Sequence, residues 1–541
     1  MARLLELADQ RSPWNRALWQ ASSALAVREC LEYDNAVRID GVSGEGLTYV
    51  TKFTAEQVAN DPGCGHTAAR ERVTDLLAVV STGKSSGKPL SEGNHDALSQ
   101  LAGRISGGYL AAWHAEIEPG FPSAGNPGSA AGPAELVARS IASHLFDVGF
   151  SGHYLHGWFL AAQQRISDGA DPRAELLKLV AEADTASHRP LRQWRVLVPV
   201  QQKPHRGVDD AGDQLLSAED LQQLCASKGL RRPRQGIRGV WVTVTARDAH
   251  AALAEADAVI RRLAARARVG GRGLLQPTGK AWIEGEADWR NLGTWAPVAH
   301  LPSVQRHDLL LAPLDTDDVT ATTHAQLDDA LELFAALDVS TSGASVASAW
   351  AAIESLLGGR APRPGVGAAD RLAAIITCSY SRAELNVLAH TWKTHGNDAV
   401  AAQLAAAGSA TRRLDIIDAA LRAADVPAPV QFADPVGAAR AIALVRNPAP
   451  VMARVRRYIE AALRRLYDQR NRIMHAARFN SVALPVALRT TPTLVAAGLD
   501  RIVNAAHATP PIPPMKLAAR AENELHLLAT PAARPPHRLL D

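Results

Sequence analysis

The stretch "YDQRNRIMHAARF", residues 467 to 479, closes what the preceding pattern makes a long amphipathic helix. After Pro450, the residues Val455, Ile459, Ala462, Leu466 and Ile473 recur at helical spacing and form one apolar stripe. Where that stripe should end quietly, the chain carries Arg470, Asn471, Arg472 and His475. At roughly 100° per residue Arg470 falls only about 40° from Leu466, so it points toward an apolar or subunit-facing surface. Asn471 and His475 are four apart and Arg472 and His475 three apart, which stacks them on a neighbouring face of a continuous helix. Arg470 and His475 are separated by about 140° and therefore flank a cleft without touching.

These residue types suit cleavage of nucleic acid. Histidine titrates near neutrality and moves protons as general base or acid. Arginine stays charged and offers a planar fork to phosphate oxygens. The Asn471 amide can hold an imidazole in one tautomer. A structural reading stands beside this one: Arg470 buried against a carboxylate such as Asp468 or Glu354, with His475 a partly exposed helical residue.

The surroundings of the stretch are helical. Leu327, Leu331 and Phe334 mark one helix, and Trp350, Ile353 and Leu357 mark another, ended by Gly358 and Gly359. Further helical segments cover about 369–392, 398–423, 434–445, 449–478 and 490–506 by the same periodicity. Upstream the period changes. "QWRVLVPV" (193–200), "GVWVTVTA" (239–246) and "AWIEGE" (281–286) read as strands, with a helix opened by a capping-box pattern at Ser217 and Asp220 and another marked by Leu253, Ala256, Ile260 and Leu263. The expected fold is mainly α. It comprises a mostly helical N-terminal region over 1–188, read as a sensor or regulatory region, a small α+β domain over 189–300, a helical domain over 322–510, and a Pro-rich tail with a short helix over 511–541.

Composition bounds the function. The chain has 541 residues, 47% hydrophobic and 21% charged, with aromatics at only 5%, which fits an aliphatic, helical, globular protein. A net charge of +3 is too mild to announce nucleic-acid binding by itself. Cys30, Cys64, Cys225 and Cys378 show no CxxC pairing, so neither a disulfide framework nor a structural zinc site is expected, and a reducing cytoplasm fits best. No apolar run reaches the roughly 18 residues that span a bilayer, and no membrane partner is expected.

Arg470-Asn471-Arg472-Ile473-Met474-His475 resembles the Arg-x4-His motif of the HEPN family (higher eukaryotes and prokaryotes nucleotide-binding), with the favoured Asn after the Arg. "ALELFAALDVSTSGASVASAWAAIESLLGG", residues 330–359, is similar to the opening helices of the ApeA-like HEPN ribonuclease branch of bacterial defence proteins. The resemblance covers roughly 322–510. It implies a HEPN helical bundle, a metal-independent endoribonuclease without cofactors, and an active cleft formed in a homodimer or higher oligomer, each protomer contributing Arg470 and His475. It further implies RNA as substrate, a phage or host trigger, and a role in abortive infection or as a toxin. Glu354, one turn after Trp350, would orient Arg470, or would be an exposed helical Glu; Arg472 would support binding. Ala477 stands where one toxin branch has a nucleotidylated Tyr, so that regulation is not implied. The alternative from another class is a non-catalytic HEPN protein that binds RNA or scaffolds.

Other signals compete. "AVVSTGKS" (78–85) fits a loose phosphate-loop pattern around Lys84, but Val79 and Val80 occupy the turn, and Gly87 and Pro89 break the helix that a phosphate loop needs on its C-terminal side. His144, Asp147, His153 and His156 could hold a metal on paper, yet Gly149 and Gly152, which interrupt a helix read over about 134–166, separate the pairs and a packed aromatic helix end is preferred. Cys64 and His66 read as a loop. Lys228, Arg231, Arg232, Arg234 and Arg238 cluster without an acidic residue, either as a solvated turn or as an RNA-backbone contact; the missing aromatic interleaving argues against base stacking.

Overall fold

The computed structural model describes residues 1–8, 21–40, 44–81, 87–120, 133–202, 215–269, 275–292, 319–335, 342–359, 364–423, 425, 427–428, 431–432, 434–476, 478 and 480–541. Among these, nineteen α-helices and a small antiparallel sheet make the chain mainly α. No helix among the described residues is long and apolar enough to cross a membrane.

The N-terminal region holds α1 (Ala2–Ala8), α2 (Ser23–Asp40), α3 (Gly44–Ala59), α4 (Thr67–Ser81), α5 (Glu92–Ile117), α6 (Pro133–Asp147), α7 (Gly152–Ser167) and α8 (Pro172–His188). Leu77, Leu98, Trp113, Ile141, Phe159 and Leu179 meet in its core. The break expected near Gly149 is real. Gly149 takes φ +100, a left-handed turn that a side chain would resist, and Ser151 then caps α7 by accepting from the Tyr154 amide.

The α+β unit comes next: β1 (Arg192–Gln202), β2 (Leu215–Leu216), α9 (Ala218–Ser227), β3 (Arg238–Ala246), α10 (Ala249–Val269), β4 (Leu275–Pro277), β5 (Lys280–Ile283) and β6 (Arg290–Asn291). Both hydrogen bonds of the capping box at Ser217 and Asp220 are present. The strands lie in the order β2-β3-β1-β5-β6, with β4 also on β1. Alternation along β1 and β3 puts Val196, Val198, Val240, Val242 and Val244 on the face covered by Leu253, Ala256 and Ile260 of α10.

The C-terminal bundle contains α11 (Val319–Ala335), α12 (Ser342–Leu357), α13 (Pro364–His395), α14 (Ala399–Ala406), α15 (Ala410–Arg422), α16 (Pro435–Arg446), α17 (Pro448–Ala476), α18 (Leu484–Ala506) and α19 (Pro514–Leu527). The single helix expected over 398–423 is two, because Ser409 accepts from the Arg412 amide and starts a new helix. α13 runs through the middle and packs on α12, α17, α18 and α19. Its Leu372, Ile375 and Ile376 are fully buried with Trp350, Ile459, Leu466 and Leu499. The Pro-rich tail is no loose appendage: Leu517, Ala521, Leu528 and Leu539 belong to this same core.

The N-terminal region and the bundle meet mainly through charge. Arg465 makes a two-pronged pair with Glu29, both side chains only 5% exposed. Arg440 binds Glu6 and Glu384, Arg489 binds Asp147, and the Arg464 guanidinium lies 3.9 Å over the Tyr49 ring. Among the described residues, Ala21 and Leu25 pack with Val482 and Val486 in an apolar cluster at this junction.

Candidate active site

Helix α17 is continuous to Ala476, so the helical spacing read from the sequence holds through the backbone of His475. Arg470 and His475 are thus about 7.5 Å apart along one axis. The His475 side chain lies outside the described residues, as does Ala477.

Arg470 is held from two sides. Its Nη2 lies 3.7 Å from Glu354 Oε2, an ion pair longer than a hydrogen bond, and its Nη1 donates to Asn471 Oδ1 at 2.9 Å. Both charged side chains are about one-third exposed, at 28% and 31%. The crossing of α12 over α17 brings them together. Trp350, fully buried one turn before Glu354, packs tilted on Tyr467 with ring centroids 4.9 Å apart. Tyr467 in turn needs Gly365: a Cβ there would sit 2.4 Å from the tyrosine ring. The apolar stripe beside Arg470 is filled by the chain's own core, since Leu466 is fully buried in it. Asn471, considered as a tautomer clamp, offers its oxygen to Arg470.

Arg472 is placed differently from the expectation that it supports RNA binding. It is buried, with Nη1 2.5 Å from Glu32 Oε1 and its guanidinium 5.1 Å from the centre of the Tyr33 ring. Burial against the N-terminal region removes it from any surface a strand could reach. Glu32 also accepts from Ser481 Oγ and from the Val482 amide at 2.9 Å. One carboxylate therefore pins the chain on both sides of the segment that carries His475. Beside it Asp468 is buried and accepts from the Tyr33 hydroxyl at 3.3 Å; burial pushes its carboxyl up to about 7, against the opposing pull of Arg472.

Sequence reasoning missed this whole charged face, though a signal existed. Glu29, Glu32 and Tyr33 on α2 repeat at helical spacing, as do Arg465, Asp468 and Arg472 on α17. Two helices with matching polar stripes are candidates to pack on each other.

The other candidates do not converge. His144 is buried and stacked on Tyr109 at 4.4 Å, and burial pushes its imidazole down to about 3. Asp147 binds Arg489 and the Ser22 amide, while His153 packs against His250, ring centroids 4.0 Å apart. Among the described residues no group of three metal-ligating side chains occurs. Cys64 is buried in a short 3-10 turn and His66 is exposed. Val79 and Val80 lie in helix α4, where a phosphate loop needs the end of a strand; Lys84 itself is outside the described residues. In the basic loop Lys228, Arg231, Arg232 and Arg234 are exposed and Arg238 is half-buried.

No family model matches the chain, and no curated protein or solved structure matches it either.

Proposed function

We propose that the chain is a HEPN-type endoribonuclease serving anti-phage defence, by abortive infection, or acting as a toxin. The observation that carries this reading is Arg470, held between Glu354 and Asn471 on the continuous helix that carries His475. A guanidinium held by two neighbours and still about one-third exposed can offer its remaining N–H groups to a phosphate. In this reading His475 takes the proton of the RNA 2′-hydroxyl, whose oxygen attacks the adjacent phosphorus. The O2′–P bond forms, the P–O5′ bond breaks, and the proton that His475 has taken is given up to the leaving 5′-oxygen, directly or through water, while Arg470 offsets the charge that gathers on the phosphoryl oxygens. The products carry a 2′,3′-cyclic phosphate and a 5′-hydroxyl. Arg470 and His475 diverge around one helix by about 140° and so flank a cleft, which the HEPN resemblance implies a second copy of the chain completes.

Mass spectrometry of a cleaved oligonucleotide tests the chemistry. Cyclic phosphate ends, undiminished by chelator and absent with DNA, are expected; 5′-phosphate ends formed only with magnesium would overturn it. Light scattering tests the shared cleft, and a strictly monomeric chain that still cleaves would contradict it. The alternative is a non-catalytic HEPN protein that binds RNA or scaffolds, in which the helix serves packing, as Arg465 and Arg472 do through their buried pairs with Glu29 and Glu32. RNA binding without cleavage would move the assignment there.

A further inference from the structure

The sheet of the α+β unit is sealed on one face and half sealed on the other. α10 covers the first face, where Val196, Val198, Val200, Val240, Val242 and Val244 are buried. On the second, α9 covers only the end where Leu197 and Gly239 meet Leu221; a Cβ on Gly239 would come within 2.9 Å of Leu197. The strand register then lays out what remains. Trp241, Leu197 and Trp282 form one cross-strand row, Thr243 pairs with Arg195 in the next, and Thr245 pairs with Gln193 beyond it. Gln193, Arg195, Thr243 and Thr245 are exposed and Trp241 is half-buried. The Arg195 guanidinium lies 4.5 Å from the centre of the Trp241 ring.

The basic loop borders this open half. Buried Leu230 joins the cluster around Trp282, and the half-buried Trp289 donates its indole N–H to the Arg231 carbonyl at 2.8 Å. These anchors fix the loop backbone while its charges face solvent. Among the described residues Lys228, Arg231, Arg232 and Arg234 have no ion-pair partner. Of the nearby carboxylates, Glu284 is engaged by Arg195 and Glu286 by Arg290, which leaves exposed Asp288 against the loop's surplus of cations. The fold therefore supplies the aromatic neighbours that the loop lacks in sequence.

We propose that this half-open sheet face and the 228–238 loop bind a single strand of RNA. The loop guanidinium groups neutralise successive phosphates, and a base stacks on the Trp241–Arg195 pair. A single strand fits and a duplex does not, because stacking requires a base whose π-face is free. The choice of RNA over DNA rests on the nuclease reading above; the strand-binding face does not.

Fluorescence anisotropy with a labelled single-stranded RNA, on the full chain carrying His475→Ala, tests it. Changing Arg231, Arg232 and Arg234 together to Gln is expected to weaken binding roughly tenfold or more, and to make the log–log salt slope shallower by about 2. Trp241→Ala is expected to weaken it roughly fivefold or more, with Trp241→Phe retaining most affinity. The arginine changes are on exposed side chains, so they keep the test valid where Trp241→Ala fails to fold. Unchanged affinity and slope in the arginine variant would overturn the proposal, as would equal competition by polyglutamate of matched charge. Binding that survives both changes but is lost on Arg470→Ala would place the strand on the bundle, sinking this proposal and sparing the nuclease. Sheet-dependent binding by a chain that never cleaves RNA would do the reverse.

Discussion

The two long sides of α17 are built from opposite materials. One side buries Ile459, Ala462 and Leu466 against α12 and α13, where the hydrophobic effect holds it and shape decides the fit. The other side turns Arg464, Arg465, Asp468 and Arg472 toward the N-terminal region, where they make ion pairs, a hydrogen bond and contacts of a cation over a ring, while Arg464 also pairs with Asp370 of α13. The apolar side stabilises the bundle whatever the N-terminal region does. The charged side gains only when its partners are present, since a lone buried charge is far worse than none. That makes the charged side a matched joint, and it joins the N-terminal region to the helix carrying Arg470 and His475.

The largest expected effect lies between the two sides. Arg470→Ala and His475→Ala should each cut RNA cleavage by roughly 10²–10⁴-fold, the contribution usual for a positioned acid–base or charge-stabilising group. Circular dichroism should show unchanged helix content for Arg470→Ala, because the Arg470 side chain is not in the buried core, and the same readout checks that His475→Ala is folded. Full cleavage by either soluble variant would remove the proposed site. Glu354→Gln should cost less, as Arg470 keeps its bond to Asn471.

The next largest effect should fall on the charged side. Glu29→Ala leaves Arg465 buried with no carboxylate, and denaturant unfolding should show a loss of about 3–5 kcal/mol. Replacing the pair together, Glu29→Leu with Arg465→Met, should restore much of that loss. If the single change were as mild as the double one, the joint would be hydrated and the contrast between the sides would fail.

How much of this contrast was legible in the sequence differs between the sides. The apolar stripe from Val455 to Ile473 was readable because an apolar residue at helical spacing has only one stable destination. Strands β1 and β3, the capping box at Ser217 and the break at Gly149 were readable for similar local reasons. Glu354 was tied to Arg470 by its place one turn after Trp350, and the two side chains do meet. Arg472 was misplaced because a charged helical residue has two destinations, solvent or a matching partner. Glu32 lies 440 residues earlier in the chain, so no local window contains it. The Trp241–Arg195 stack was hidden for the same reason, its members coming from different strands.

Asp468 adds a pH dependence to the charged side. Its folded carboxyl is raised to about 7, above the ordinary carboxylate value. A raised acid contributes most stability below its unfolded pKa of about 4 and loses that contribution as pH climbs through the folded value. Thermal unfolding should therefore show Asp468→Asn relatively more stable than the parent at pH 8.5 than at pH 5. The opposite slope would mean that Arg472 and Tyr33, not burial, govern this carboxyl.

The smallest effect should come from the outer edge of the same joint. Arg457 and Glu56 pair at 3.2 Å, but they are 61% and 49% exposed, so water competes for both and salt screens what remains. Glu56→Ala should change stability by less than about 0.5 kcal/mol, and that little should vanish in high salt. Glu29→Ala should keep most of its cost under the same salt, because no ion can enter between Glu29 and Arg465. Parallel urea titrations at low and high salt would separate the two pairs. Equal salt sensitivity would mean that the N-terminal region detaches before the bundle unfolds, exposing the whole charged side of α17 while the apolar side stays closed.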